Sequence, residues 1–176
     1  MTDRKGGSGI AGAALAALLV LFNVSCTVKW KGFTCTEGGY SVIFPGEPSK
    51  DVTSIPSPAG TVKMVLYEAN PRLNLQCAVM YLDLPPGATF DEDGAYQGMT
   101  KTMAEKWKGK VTVQQPVTLY GYSGRDVVFD TSQGNATVRL FRADQRIYMI
   151  AMLHGRGDDY KEERNKYFES FKLLGR

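Results

Sequence analysis

The amino-acid sequence predicts an α+β fold, in which a single largely antiparallel β-sheet of about seven strands is covered by two amphipathic helices. Runs of β-branched and aromatic residues are separated by turn residues, as expected for strands. Several of these breaks have hairpin length, which favours antiparallel pairing. Two segments change instead to helical periodicity. The predicted order is β-β-β-α-β-β-β-β-α.

Residues 1–25 have the features of an export signal peptide. Arg4 and Lys5 form a short basic region, and Ile10 to Phe22 form an apolar core of 13 residues, with small residues before Cys26. The core is shorter than the roughly 20 residues that a transmembrane helix needs. We therefore predict cleavage before Cys26 and lipidation of its thiol, which would anchor the chain to a membrane.

Two alternatives to lipidation remain open. Asn23 occupies the third position before the cysteine, where bacterial lipoprotein signals usually carry leucine. The segment could instead be a conventional signal peptide cut near Cys26, or a short uncleaved anchor. All three interpretations place residues 27–176 outside the cytoplasm, on the periplasmic or cell-surface side.

The remainder is predicted to be a short tether, residues 26–39, followed by one α+β domain, residues 40–176. A chain of about 150 residues can bury roughly 68–70% of its unfolded surface. The composition, 43% hydrophobic and 22% charged, argues against disorder. A net charge of +3 gives no basic footprint for nucleic acid.

Three strands are predicted before the first helix. Tyr40 to Phe44 is a β-branched and aromatic run that ends at a Pro-Gly turn. The proline-rich residues 45–60 lack periodicity and are predicted to be an irregular surface loop. Residues 61–69 and 73–84 are predicted to pair as an antiparallel hairpin around residues 70–72.

The first helix is predicted after a Pro-Pro-Gly break. Thr89 and Glu92 have capping-box spacing, and Gly109 supplies a stop. Its apolar stripe consists of Tyr96, Met99, Met103 and Trp107. We interpret this stripe as the face that packs on the sheet.

Four further strands are predicted to form an antiparallel meander. They are Val111 to Tyr120, Tyr122 to Thr131, Ala136 to Ala143 and Arg146 to Leu153. The last is apolar on both faces, which is typical of a central strand covered on both sides. A second amphipathic helix is predicted from Asp158-Asp159, with a stripe formed by Tyr160, Tyr167, Phe171 and Leu174.

Cys35 and Cys77 are the two cysteines left once Cys26 is assigned. In an oxidising compartment they could form a disulfide, which would close a loop of about 40 residues and stabilise the fold by roughly 4 kcal/mol. Alternatively, both are free thiols, with Cys77 a small buried strand residue and Cys35 a loop thiol.

Four segments together resemble a known family. They are Glu37 to Pro48, Gly124 to Phe129, Leu140 to Ala151 and Phe168 to Leu173. The resemblance, over residues 30–174, is to small bacterial envelope lipoproteins and anchored domains with a PsbP-like or DcrB-like fold. It implies a sheet sandwiched by helices, in proteins that bind or support other proteins without catalysis. Cys35 departs from the pattern, in which serine would be expected.

No catalytic, metal-binding or cofactor-binding residue is predicted. His154 is the only histidine, which leaves no zinc site of ordinary ligand type, and we interpret it as structural. Asp91, Glu92 and Asp93 are interpreted as helix N-terminal charges. The basic grouping of Arg125, Arg139, Arg142 and Arg146 could bind an acidic partner or lipid headgroups, but alternation favours a dispersed, solvated surface.

The sequence therefore predicts an extracytoplasmic lipoprotein that acts as a binding or scaffolding module and is not an enzyme. Its expected partners are a membrane, through the lipid anchor, and an unidentified envelope protein; no cofactor and no nucleic acid are expected. The alternatives are an envelope hydrolase that uses a carboxylate pair and a secreted soluble binding domain. The ligand-binding residues stay unknown.

Overall fold

The computed structural model describes residues 28–57, 60–72, 74–87, 91–156 and 160–175. The predicted signal peptide, Cys26, the capping residue Thr89 and the pair Asp158-Asp159 lie outside these residues. The first strands are β1 (Lys31–Cys35), β2 (Tyr40–Phe44), β3 (Ser49–Ser57), β4 (Gly60–Arg72) and β5 (Leu75–Asp83). After α1 (Glu92–Trp107) follow β6 (Lys110–Leu119), β7 (Tyr122–Thr131), β8 (Gly134–Ala143), β9 (Arg146–His154), α2 (Lys161–Ser170) and β10 (Lys172–Leu173).

The strands form two sheets, so the prediction of a single sheet of about seven strands is matched only in part: the seven-stranded sheet is present, and a second, smaller sheet accompanies it. One sheet has seven strands in the order β3-β4-β5-β9-β8-β7-β6, and the other has three in the order β1-β2-β10. Each of the strand pairs is antiparallel. The α+β class, the two helices and the antiparallel pairing are confirmed within the described residues.

Strand β3 occupies the segment that the sequence predicts to be a loop. It pairs residue by residue with β4, from Ser49 opposite Glu68 to Ser57 opposite Gly60. As an edge strand it has little buried surface: Val52 and Ile55 are 46% and 38% exposed. Because neither face is buried, no apolar alternation marks the strand, and prolines are tolerated at an edge.

The three-stranded sheet joins the two ends of the described chain. Strand β2 lies at its centre, with β1 on one side and the two-residue β10 on the other. Strand β1 falls within residues 26–39, which the sequence predicts to be a short tether. The folded domain thus begins before Tyr40.

The predicted hairpin and meander are confirmed. Strand β4 pairs with β5, and β6, β7, β8 and β9 follow one another in the sheet. Strand β9 lies between β5 and β8, in the middle of the seven strands. Side chains on both of its faces are buried, including Ile150 and Ala151. Strand β9 is apolar along its length because other parts of the protein cover both of its faces.

The two faces of the large sheet are covered by different elements. On one face, Tyr96 and Met103 of α1 pack with Val127, Phe129 and Val138. The predicted stripe of α1 is therefore confirmed as a packing face. None of the helices in the described residues has the length and apolar character needed to cross a membrane.

The opposite face is covered by α2 and the three-stranded sheet. Tyr167 of α2 is fully buried, and its hydroxyl donates a hydrogen bond to the Ala78 carbonyl oxygen over 2.9 Å. Tyr40 of β2 stacks on Phe171 at a ring distance of 5.3 Å. The molecule thus has three layers: α1, the seven-stranded sheet, and α2 with the small sheet.

Candidate functional site

A cavity of about 300 Å³ opens at the end of the large sheet where β5 begins and β9 ends. Its lining comes from four stretches of the chain: 74–76, 106–108, 131–135 and 153–155. We call it the His154 cavity. No two of these stretches are neighbours in the sequence, so only the packing of α1 and the β7–β8 turn around β9 brings them together.

His154 is the last residue of β9 and is 8% exposed. Its Nδ1 lies 3.3 Å from the Gly155 carbonyl oxygen, and its ring lies 5.1 Å from that of Tyr160. The packing of the ring supports the interpretation of His154 as a structural residue beside the cavity.

The turn between β7 and β8 forms one wall of the cavity. The Thr131 hydroxyl donates to the Gly134 carbonyl oxygen over 2.8 Å and accepts a hydrogen bond from the Gln133 N–H over 3.2 Å. Gly134 has φ +146°, and a Cβ there would lie 2.0 Å from the His154 carbonyl oxygen. A side chain at this position would therefore push the turn away from β9.

The opposite wall is the end of α1, with Lys106, Trp107 and Lys108. The Trp107 ring packs edge-on against Phe129 at 5.3 Å between ring centroids. Lys108 adopts the left-handed conformation with φ 49°, and its N–H donates to the carbonyl oxygen of Glu105 over 3.2 Å. The sequence predicts the helix stop at Gly109, one residue later.

The lining is rich in amides and carries positive charge. Its amide side chains are Asn74, Gln76, Gln133 and Asn135. Lys106 and Lys108 are both exposed, and none of the described lining residues is an aspartate or a glutamate. Amides both donate and accept hydrogen bonds, whereas lysines only donate. The arrangement is suited to bind a polar ligand with negative charge.

No pattern in the sequence predicts this site. Trp107 belongs to the predicted packing stripe, and its contact with Phe129 agrees with that prediction. Its second position, at the cavity rim, has no separate signal in the sequence. Lys106, Lys108 and the amides carry no motif.

Cys35 and Cys77 are both buried and are free thiols in the structure. The Cys35 Sγ accepts a hydrogen bond from the Gly38 N–H over 3.2 Å. Burial raises the pKa of the Cys77 thiol, which keeps it protonated and unreactive. For the protein in an oxidising compartment, a disulfide between Cys35 and Cys77 stays a prediction, with two free thiols as the alternative.

The predicted basic grouping is spread over separate contacts. Three of its arginines form ion pairs: Arg125 with Asp93, Arg139 with Asp126, and Arg146 with Asp83. The Arg142 Nε donates to the Asp144 carbonyl oxygen. The hydrogen bonds to Asp83 raise the pKa of Arg146. The ion pairs join neighbouring interior strands or connect β7 to α1, and these contacts do not make one patch.

The carboxylate of Glu37 lies between two lysines at the other end of the domain. It accepts hydrogen bonds from Lys50 over 2.8 Å and from Lys63 over 3.1 Å. In the described part of the chain, no group of three or more His, Cys, Asp or Glu residues could hold a metal ion.

No protein-family model and no curated protein matches the chain. Among solved structures, it is similar to cyanobacterial PsbP (CyanoP) from Synechocystis sp. PCC 6803, with a TM-score of 0.60 and 11% identity, over 84% of this chain and 94% of that one. A protein of unknown function, PA94 from Pseudomonas aeruginosa, gives a TM-score of 0.37 and 13% identity over 77% and 89% of the two chains. The first likeness shows a PsbP-like fold.

Proposed function

We propose that the protein is a non-catalytic binding or scaffolding module of the cell envelope, related to DcrB-like lipoproteins and held at a membrane by lipid on Cys26. Its partners would be the membrane itself and an envelope protein or ligand. The PsbP-like fold supports the module, and the N-terminal sequence supports the location.

The observation that carries the proposal is the distance between the signal peptide and the fold. Cys26 follows the apolar segment, and β1 begins at Lys31, five positions later. Five extended residues span at most about 18 Å. A lipid on Cys26 would therefore hold the domain next to the membrane surface, as expected for an anchored binding module.

The carboxylates favour binding over hydrolysis. A hydrolase with a carboxylate pair needs two acids that share a site and whose pKa values are displaced from each other. Glu37, Asp83 and Asp126 instead each pair with lysine or arginine. Such pairs position the surrounding elements.

Intact-mass analysis of protein from membrane fractions tests the anchor. We expect a mature chain that begins at Cys26 and carries acyl mass, and we expect Cys26→Ser to release the protein from membranes. A mature chain without acyl mass in the medium would contradict the anchor and support a secreted domain. The unprocessed chain in the cytosol would overturn the proposal.

A further inference from the structure

We propose that the His154 cavity binds a small sugar that carries a negative charge, as a carboxylate or as a phosphate group. The inference deepens the proposed binding role, and it does not depend on the lipid anchor. Three properties of the cavity support it: its charge, its hydrogen-bonding groups and its shape.

The charge of the cavity is positive. Lys106 and Lys108 stand at the rim on exposed side chains. The carbonyl oxygens of Ala104 and Glu105, at the end of α1, accept hydrogen bonds from the Gly109 and Lys108 N–H groups. These hydrogen bonds offset part of the partial negative charge at the helix end, and the two ammonium groups supply positive charge that would attract an anion.

The hydrogen-bonding groups suit hydroxyls. Each sugar hydroxyl is both a donor and an acceptor, and side-chain amides offer both functions. Four amides line the cavity, and one of them, Gln76, is oriented by its hydrogen bond to Glu68 over 2.7 Å. Trp107 adds a large apolar ring beside these polar groups, and the C–H face of a sugar ring can pack on such a surface.

The cavity is small and braced. A volume of about 300 Å³ lies at the lower end of the range for small-molecule sites. The Gly155 N–H donates to the Asn74 carbonyl oxygen over 2.9 Å, and Arg156 donates to Asp130 and to the Thr131 carbonyl oxygen over 2.9 and 2.5 Å. These contacts connect the strand ends around the cavity, so little ordering is required on binding.

An NMR titration of the purified protein tests the inference through the indole N–H signal of Trp107, with the signal of Trp30 as an internal reference. The probes are glucuronate, glucose 6-phosphate, glucose and acetate. We expect one or both charged sugars to shift the Trp107 signal saturably, with affinity at least about tenfold above that of glucose and acetate, a difference of about 1.4 kcal/mol. Comparison of the two charged sugars tells a carboxylate ligand from a phosphate ligand.

Variants locate the site. Lys106→Gln and Lys108→Gln should each weaken binding of the charged sugar about threefold to tenfold, as expected for loss of one partly exposed charge contact. Lys101→Gln, an exposed lysine on the same helix outside the cavity lining, should leave binding unchanged. Unchanged amide spectra of the variants without sugar would show that they remain folded.

If glucose binds as tightly as the charged sugars, the proposed requirement for a negative charge is wrong. If acetate binds as tightly as the charged sugars, the proposed requirement for a sugar is wrong. No shift of Trp107 with any probe at tens of millimolar would overturn the proposal as a whole. Since the titration follows the folded domain, its result is separate from the acyl mass on Cys26, and failure of one proposal does not imply failure of the other.

Discussion

Glu37 illustrates how a residue on the surface can still have a changed acidity. Hydrogen bonds from Lys50 and Lys63 lower the pKa of its carboxyl group from 4.5 to about 2. Because the pKa in the folded state lies below that in the unfolded state, the contribution of the group to stability is fully present above about pH 4.5. That contribution is lost as the pH falls from about 4.5 to about 2.

We predict that the side-chain carboxyl carbon of Glu37 titrates in an NMR experiment with a midpoint of about 2. Replacing both Lys50 and Lys63 with Met should return the midpoint toward 4.5, since both hydrogen bonds are removed. High salt should also raise the midpoint, because the group is exposed and screened. Lys31→Met, which removes the pairing of Lys31 with Glu47, serves as the control. A midpoint above 4 in the unchanged protein would contradict the proposed contacts.

The Arg139–Asp126 pair shows a more protected arrangement at the same scale. Its two hydrogen bonds measure 2.7 and 2.8 Å, and the side chains are only 19% and 18% exposed. The Arg139 guanidinium also lies 5.4 Å from the ring centre of Phe168 on α2. The arginine therefore connects the large sheet to the helix above it, which is a structural use of a residue that the sequence offered as a binding candidate.

At the scale of one element, α1 contains a glycine that serves no packing purpose in the structure. Gly98 is exposed, and no atom lies within 4 Å of the place where its Cβ would be. Glycine in a helix interior costs stability because its unfolded chain is more flexible.

We predict that Gly98→Ala raises the free energy of unfolding by about 0.5–1 kcal/mol, as measured by urea denaturation. A contrasting substitution is Gly124→Ala in β7, where a Cβ would meet the Leu140 carbonyl oxygen at 2.4 Å and the Phe141 Cβ at 2.7 Å. That change should lower the free energy of unfolding by about 1–3 kcal/mol through overpacking. If Gly98→Ala and Gly124→Ala change the free energy of unfolding equally, the space around the added Cβ does not decide the change in stability.

At the scale of the whole molecule, two residues of β1, Phe33 and Cys35, pack with the core. Phe33 of β1 packs on Tyr67 at 4.8 Å and on Phe44 at 5.6 Å between ring centroids. Cys35 at the end of the strand is 4% exposed. The layer of α2 and the small sheet thus depends on residues that precede Tyr40.

We predict that a chain beginning at Tyr40 loses about 3 kcal/mol or more in free energy of unfolding relative to one beginning at Val28, because a strand and its aromatic contacts are removed. The difference is measured by urea denaturation, with far-UV circular dichroism as the signal. Tryptophan fluorescence is not used because the shorter chain lacks Trp30. Phe33→Ala in the longer chain should reproduce part of the loss. If the two chains have the same free energy of unfolding, residues 26–39 act as a tether and not as part of the folded domain.

The elements that could be predicted from the sequence have a buried face of regular period. The stripe of α1, the β4–β5 hairpin and the central strand β9 are examples, because burial selects apolar residues at intervals of the local structure. Strand β3 could not be predicted in this way, since an edge strand is defined by backbone hydrogen bonds to one neighbour and leaves its side chains exposed.

The α+β class, the periodic elements and the order of those elements can be read from the sequence alone, because each depends on residues close together in the chain. The short apolar segment before Cys26 is likewise a local pattern, and it remains the basis of the predicted location. The division into two sheets, the burial of both Cys35 and Cys77, and the His154 cavity become visible in the folded molecule. These features arise where distant parts of the chain pack together, and such contacts leave no periodic mark in the sequence.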